Sequence, residues 1–144
     1  MSINLIKEIK TIDILLSPVG KKLNLEDNLI RSNLKINYFT NIKSLYHHLA
    51  GATLVITSFG NLFYESLAHK SPTLIVAQKK FQFDYAKQFE KYSNIINLGF
   101  PSTLTINKIK IRIKKLLFNK SIDKEKLINI PRDGIVNIAN IINF

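Results

Sequence analysis

Four residues near the middle of the chain have the types and spacing for phosphate and sugar chemistry. They are Ser58, Gly60, Asn61 and Glu65, in the run LVITSFGNLFYES. An apolar stretch stops at Ser58-Phe59-Gly60-Asn61, and a helix-like pattern carrying one acid follows. With residues 53–58 as a strand and 61–69 as the next helix, the turn lies at the carboxyl edge of a sheet, where open α/β folds bind ligands. The first N–H groups of such a helix lack internal partners and carry partial positive charge, so they can hold a phosphate. Gly60 has no side chain to block the approach, and Ser58 and Asn61 can add donors and acceptors. Glu65 falls one turn beyond Asn61 on the same helix face. A carboxylate there can accept two hydrogen bonds from vicinal hydroxyls such as a ribose diol. The same residues also have a plain structural use: Ser58 or Asn61 as a helix cap, and Glu65 as a surface acid favoured near a helix N-terminus.

The elements that must position these residues follow from hydrophobic pattern. Five short apolar runs, at 12–17, 35–40, 53–58, 73–77 and 94–98, alternate with segments of helical spacing. Several have adjacent apolar residues and the later ones lack strict alternation, as in strands buried on both faces of a parallel sheet. Between them, 41–50 reads as a helix capped by Asn41, with Ile42, Leu45, Tyr46 and Leu49 on one face. Segment 81–92 places Phe81, Tyr85 and Phe89 at i, i+4 and i+8. The run IKIRIK at 109–114 alternates like a strand, yet Ile106, Ile109, Ile113, Leu116 and Leu117 make a helical face longer than ten residues, with Thr105 as its cap; a helix is expected there. A closing helix follows Asp133-Gly134, with Ile135, Ile138, Ala139 and Ile142 apolar. The fold class expected is α/β: a parallel, Rossmann-like sheet of about five strands flanked by helices. No linker or repeat breaks the 144 residues, which read as one domain.

Composition narrows the function classes. There is no cysteine, which excludes a thiolate metal site, a disulfide scaffold and a cysteine nucleophile. His47 and His48 are adjacent, so they point to different sides of a helix, and no acid–histidine spacing suits a metal; no metal and no cofactor are expected. No Walker or dinucleotide glycine motif surrounds Gly60. The beginning of the sequence does not read as a signal peptide, and no apolar run approaches the ~20 residues of a membrane span, so a cytoplasmic protein is expected. The net charge is +11, almost all of it lysine: only three of the 21 basic residues are arginine. Such a charge attracts anions non-specifically. The densest group is Lys108, Lys110, Arg112, Lys114, Lys115 and Lys120. It has no interleaved aromatics of the kind that stack bases, and it reads as a solvated face more than as a nucleic-acid site. Charge alone permits contact with an anionic membrane surface, but no residue pattern argues for it.

The segment ATLVITSFGNLFYESLAHKSPTLIVAQKKFQFDYAKQFEK resembles the nucleotide-binding segment of two-domain GT-B glycosyltransferases. Its nearest likenesses are the lipid-linked N-acetylglucosaminyltransferases of peptidoglycan synthesis, the UDP-sugar hydrolase of pseudaminic acid synthesis and spore-coat polysaccharide proteins. In these the strand is followed by a turn glycine, a helix with a ribose-binding Glu, a proline, a second strand, and a loop glutamine before an alanine-bearing helix. Gly60, Glu65, Pro72, Gln82 and Ala86 stand at the corresponding places. NLGF at 97–100 and IPRDGIVNIANII near the end resemble the hydrolase and spore-coat branch. The likeness covers residues 12–143, with its specific motifs within 53–88. Two positions depart from the pattern. Phe81 stands where His or Asn precedes the glutamine, and Lys70 where a glycine follows the helix.

The resemblance implies a nucleotide-sugar site formed by Ser58, Gly60, Asn61, Glu65 and Gln82, with a UDP-sugar as substrate. It also implies that the first strand and Gly-rich turn of the family's half-domain, and the acceptor-binding half with its catalytic base, are not in this sequence. Residues 3–10 would be the tail of the preceding helix, and the strand order would contract to 2-1-3-4-5, bringing 12–17 beside 53–58. The expected function is donor binding in a glycosyltransferase or UDP-sugar hydrolase of surface-glycan synthesis. The catalytic residues are not identified, and a second protein chain would supply the acceptor half. Two other readings stand beside it: a basic non-catalytic module for nucleic acid or anionic surfaces, and a truncated remnant without function.

Overall fold

The computed structural model describes residues 9–17 and 34–118. The chain divides into two compact units, Met1–Leu45 and Tyr46–Phe144. In the first, β1 (Thr11–Leu15) pairs in parallel with β2 (Lys35–Phe39). The register sets Asp13 opposite Asn37, and the Asn37 amide donates to the Asp13 carboxylate at 2.8 Å.

The second unit is built on three parallel strands, β3 (Val55–Thr57), β4 (Thr73–Val76) and β5 (Ile95–Gly99), in the order β3-β4-β5. Thr73, Leu74 and Ile75 of the central β4 are buried, as a strand covered on both faces requires. β3 alternates, with Val55 buried and Ile56 exposed. Helix α1 (Tyr46–Ala50) precedes β3. Helix α2 (Asn61–Ala68) joins β3 to β4, and α3 (Lys80–Lys87) joins β4 to β5. A short 3-10 turn, Pro101–Thr103, leads to α4 (Ile106–Phe118), which packs on β5.

The fold class is thus α/β with parallel strands flanked by helices, and all five strands form where the apolar runs lie. They are divided over two sheets. Both halves of the expected order, β2-β1 and β3-β4-β5, are present, but among the described residues no ladder joins β1 to β3.

The core of the second unit is Phe63 and Leu67 of α2, Ile75 of β4, Ala86 of α3 and Ile95 of β5, with Phe59, Phe89 and Tyr92 packed against it. Burial of these side chains supplies the main driving force for folding. Ser66 is the polar member of α2's buried face. Its hydroxyl donates to the Phe63 carbonyl at 2.6 Å and lies 3.0 Å from the Thr73 hydroxyl, which donates to the Ser71 carbonyl at 2.8 Å. No polar atom of that trio enters the core without a partner.

Three helix expectations need correction. The helix expected over 41–50 is only α1, and Asn41 is not its cap: Asn41 adopts φ +52 in the loop after β2, a left-handed conformation that asparagine tolerates better than most residues. The helix expected over 81–92 ends at Lys87, after which bonds such as Phe89 N–H to Ala86 and Tyr92 N–H to Phe89 close tighter turns. Its buried position is Ala86, while Phe81 and Tyr85 are exposed. An i, i+4, i+8 row drifts around a helix of 3.6 residues per turn, so the aromatic row and the core face are not the same. In α4 the expected helix forms, and Thr105 caps it, its hydroxyl accepting the Lys108 N–H at 3.2 Å. Ile113 and Leu116 are buried there, but Ile106, expected on the same face, is 72% exposed. The closing helix of 135–142 and residues 3–8 of the expected 3–10 helix tail lie outside the described residues; residues 9 and 10 are not helical.

Candidate functional site

Ser58, Gly60 and Asn61 lie at the carboxyl edge of β3-β4-β5. β3 ends at Thr57, Ser58 and Phe59 turn the chain, and Gly60 is the residue before the first turn of α2. Gly60 is extended, with φ 177 and ψ −162, and its carbonyl accepts from Phe63 N–H at 3.0 Å. No described side chain caps α2. Neither Ser58 nor Asn61 therefore takes the structural use open to it from sequence. The helix tip keeps its partial positive charge without a side-chain acceptor.

The tip is also unobstructed. A Cβ placed on Gly60 would meet no atom within 4 Å. Any residue can adopt an extended backbone, so neither conformation nor internal packing calls for glycine here. Absence of a side chain is useful at this position only to something that approaches from outside.

Asn61 and Glu65 share the exposed face of α2, one turn apart, opposite the buried Phe63, Ser66 and Leu67. No described residue pairs with the Glu65 carboxylate. A molecule touching the helix tip and Glu65 together would lie along the outer side of α2, away from the sheet. Tyr64, on that outer side, touches the Phe59 ring edge-on, with centroids 5.5 Å apart.

Gln82 is placed differently from the other four. It sits in the first turn of α3, and its side chain is engaged by backbone on both sides. Oε1 accepts from Gln78 N–H at 2.8 Å and Lys79 N–H at 3.2 Å, and Nε2 donates to the Phe59 carbonyl at 3.0 Å. The glutamine thus ties the loop after β4 to the turn after β3. The structure sets Ser58, Gly60 and Asn61 at the rim with Gln82 behind the turn, and Glu65 one helical turn away on the outer side of α2.

Two further features of the rim escaped sequence reasoning. The pairing of β4 with β5 shifts register after Ile75, so that Val76 faces Gly99. Asn97 fills that bulge: its Oδ1 accepts the Gly99 N–H at 3.0 Å, and its Nδ2 donates to the Phe83 carbonyl at 3.3 Å. Gly99 has φ +89, a conformation that favours glycine. NLGF is therefore a bulge motif that fixes the end of β5, and its Asn-Xaa-Gly spacing was the signal. The second feature is the Phe59 ring, stacked on Tyr85 with centroids 5.9 Å apart and in contact with Phe63 and Phe89. The frequent aromatics of 59–92 hinted at this cluster without saying which rings would meet.

Elsewhere the candidates do not assemble. Tyr46 touches His47 and His69 edge-on, but no described group of three or more His, Cys, Asp or Glu residues is placed to hold a metal. Lys108, Lys110, Arg112, Lys114 and Lys115 lie on α4, and none of them pairs with an acid among the described residues; Lys120 is outside them. No described helix is long and apolar enough to cross a membrane. Comparison with known protein families, with curated proteins and with solved structures finds no match to this chain.

Proposed function

We propose that the rim of β3-β4-β5 binds a UDP-sugar, and that the chain is the donor-binding part of a glycosyltransferase or UDP-sugar hydrolase of surface-glycan synthesis in the cytoplasm. The observation that carries this reading is the unobstructed tip of α2 at Gly60, which no described side chain caps, with an acid one turn beyond Asn61 on the same exposed face that no described residue pairs with. Backbone N–H groups at the tip hydrogen-bond the pyrophosphate, and the helix dipole favours its charge. Glu65 accepts hydrogen bonds from the ribose hydroxyls, each charge-assisted. Ser58 and Asn61 add polar contacts beside the phosphates. The resemblance of residues 53–88 to the GT-B nucleotide segment supports the choice of nucleotide sugar over other anions. These residues bind and orient a donor; a general base and an acceptor site come from a second chain or domain.

Calorimetric titration with UDP tests this. Wild-type protein binds, and Glu65→Ala weakens binding about tenfold, the worth of one or two charge-assisted hydrogen bonds. Lys114→Ala, on α4, changes it little. Absence of UDP binding, or equal losses in both variants, rejects the site.

The basic residues of α4, none of which pairs with an acid among the described residues, support a second reading, a module for nucleic acid or anionic surfaces. It predicts binding to DNA that survives Glu65→Ala and falls steeply with salt. Lack of such binding at low salt removes it.

A further inference from the structure

We infer that Gln82 is a positioning residue for the anion-binding turn, acting through the backbone of Phe59 and not by contact with the nucleotide; this rests on the reading of the rim as a UDP-sugar site. Two segments far apart in sequence meet on this one side chain. A primary amide offers two acceptor lone pairs on oxygen and two hydrogens on nitrogen. Here both lone pairs are used, by Gln78 N–H and Lys79 N–H, and one hydrogen goes to the Phe59 carbonyl. The opposite orientation of the amide would set hydrogens against hydrogens, so its partners fix which way it faces.

The two ends do different work. Gln82 is the third residue of α3, and its oxygen reaches back to the N–H of Lys79 just before the helix, the half of a capping box that a first-turn glutamine supplies. Its nitrogen holds the carbonyl of Phe59, the residue immediately before Gly60. The Phe59 ring is fixed separately, by stacking on Tyr85 and by contact with Phe63. Ring and carbonyl held together leave little freedom to the peptide that leads into Gly60, and hence to the direction in which the first N–H groups of α2 point. A site of backbone donors works only when those donors are aimed before the ligand arrives.

The division between oxygen and nitrogen allows a clean test. Gln82→Glu keeps the acceptor atoms and so keeps the helix cap, but above the usual carboxyl range it has no hydrogen for Phe59. Gln82→Met keeps the length, loses both ends and adds no charge. In ligand-free protein, the backbone amide resonances of Gly60 and Asn61 move in both variants, while those of Gln78 and Lys79, whose N–H groups the carboxylate of Gln82→Glu still accepts, move most in Gln82→Met. UDP affinity then falls about tenfold in Gln82→Met, where no added charge can repel the phosphates. A role confined to capping α3 predicts instead that Gln82→Glu leaves Gly60 and Asn61 unmoved, and that result overturns the inference. UDP binding by Gln82→Met as tight as wild type overturns it equally. Should the wild type not bind UDP at all, the nucleotide reading fails on its own, and the ligand-free amide shifts still decide whether Gln82 sets the turn.

Discussion

The two edges of the β3-β4-β5 sheet use polar residues in opposite ways. At the edge where the strands begin, Ser66, Ser71, Thr73 and Asn94 are all buried. Ser66 and Thr73 share a hydrogen bond, Ser71 donates to the Leu49 carbonyl at 3.2 Å, and Thr73 N–H donates to the Asn94 carbonyl at 2.8 Å. At the edge where the strands end, Ser58 and Gly60 are half-buried and Asn61 is exposed, with no side-chain cap on α2 among the described residues; Glu65, exposed one turn down the helix, has no partner among them either. Polar groups of the first edge are consumed by the fold. At the second edge Gln82 and Asn97 are likewise engaged, but the polar side chains at the α2 tip itself have no partner among the described residues, and such groups are what a ligand can use. Asn94 is the exception on the closed edge, since its buried side-chain amide has no hydrogen-bond partner among the described residues.

The comparison predicts that substitutions at the closed edge cost stability and leave binding alone, and that those at the open edge do the reverse. The largest loss comes beside Ser66: Leu67→Ala, at a fully buried position, should lower unfolding free energy by about 2–5 kcal/mol, read by urea denaturation. Thr73→Val comes next, at about 1–2 kcal/mol, because it strips the Ser71 carbonyl of its donor and Ser66 of its neighbour. Lys70→Gly is the exception at the closed edge and should stabilise, by about 1 kcal/mol. Lys70 has φ +56, and α2 ends in a motif where Lys70 N–H bonds to Leu67 and Ser71 N–H to Ser66, the setting in which glycine is favoured. The smallest change belongs to the open edge. Gly60→Ala and Glu65→Ala should each stay within about 0.5 kcal/mol of wild type, since one adds a Cβ to empty space and the other removes a carboxylate with no partner among the described residues. A large destabilisation from either would erase the contrast between the edges.

The strands were legible because β4 and β5 are nearly continuous apolar runs, and the period of α4 carried past ten residues. Helix ends were less so. The helix is lost at 41–45 and 88–92 where the backbone departs locally: Asn41 takes a left-handed turn, and the chain after Lys87 tightens to enter β5. The turn at Gly60 was legible in kind, since a glycine and a nearby acid mark a strand-to-helix rim. What sequence did not reveal was the absence of a cap, because Ser58 and Asn61 have the chemistry to cap and geometry alone decides whether they do. Gln82 shows the same limit. Its residue type fits a ligand contact and a backbone clamp equally well, and only its three partners separate them. Lys70, a departure from the resembled pattern, stands at a position whose backbone still has the conformation that glycine would prefer.

The most direct test of the open edge is a map of backbone amide shifts as UDP is added to the wild-type protein. The account predicts the largest saturable shifts at Gly60, Asn61 and Leu62, smaller ones at Glu65, and none at Ser71, Thr73 or Asn94. Shifts confined to α4, shifts at the closed edge, or a spectrum that UDP leaves unchanged would contradict it.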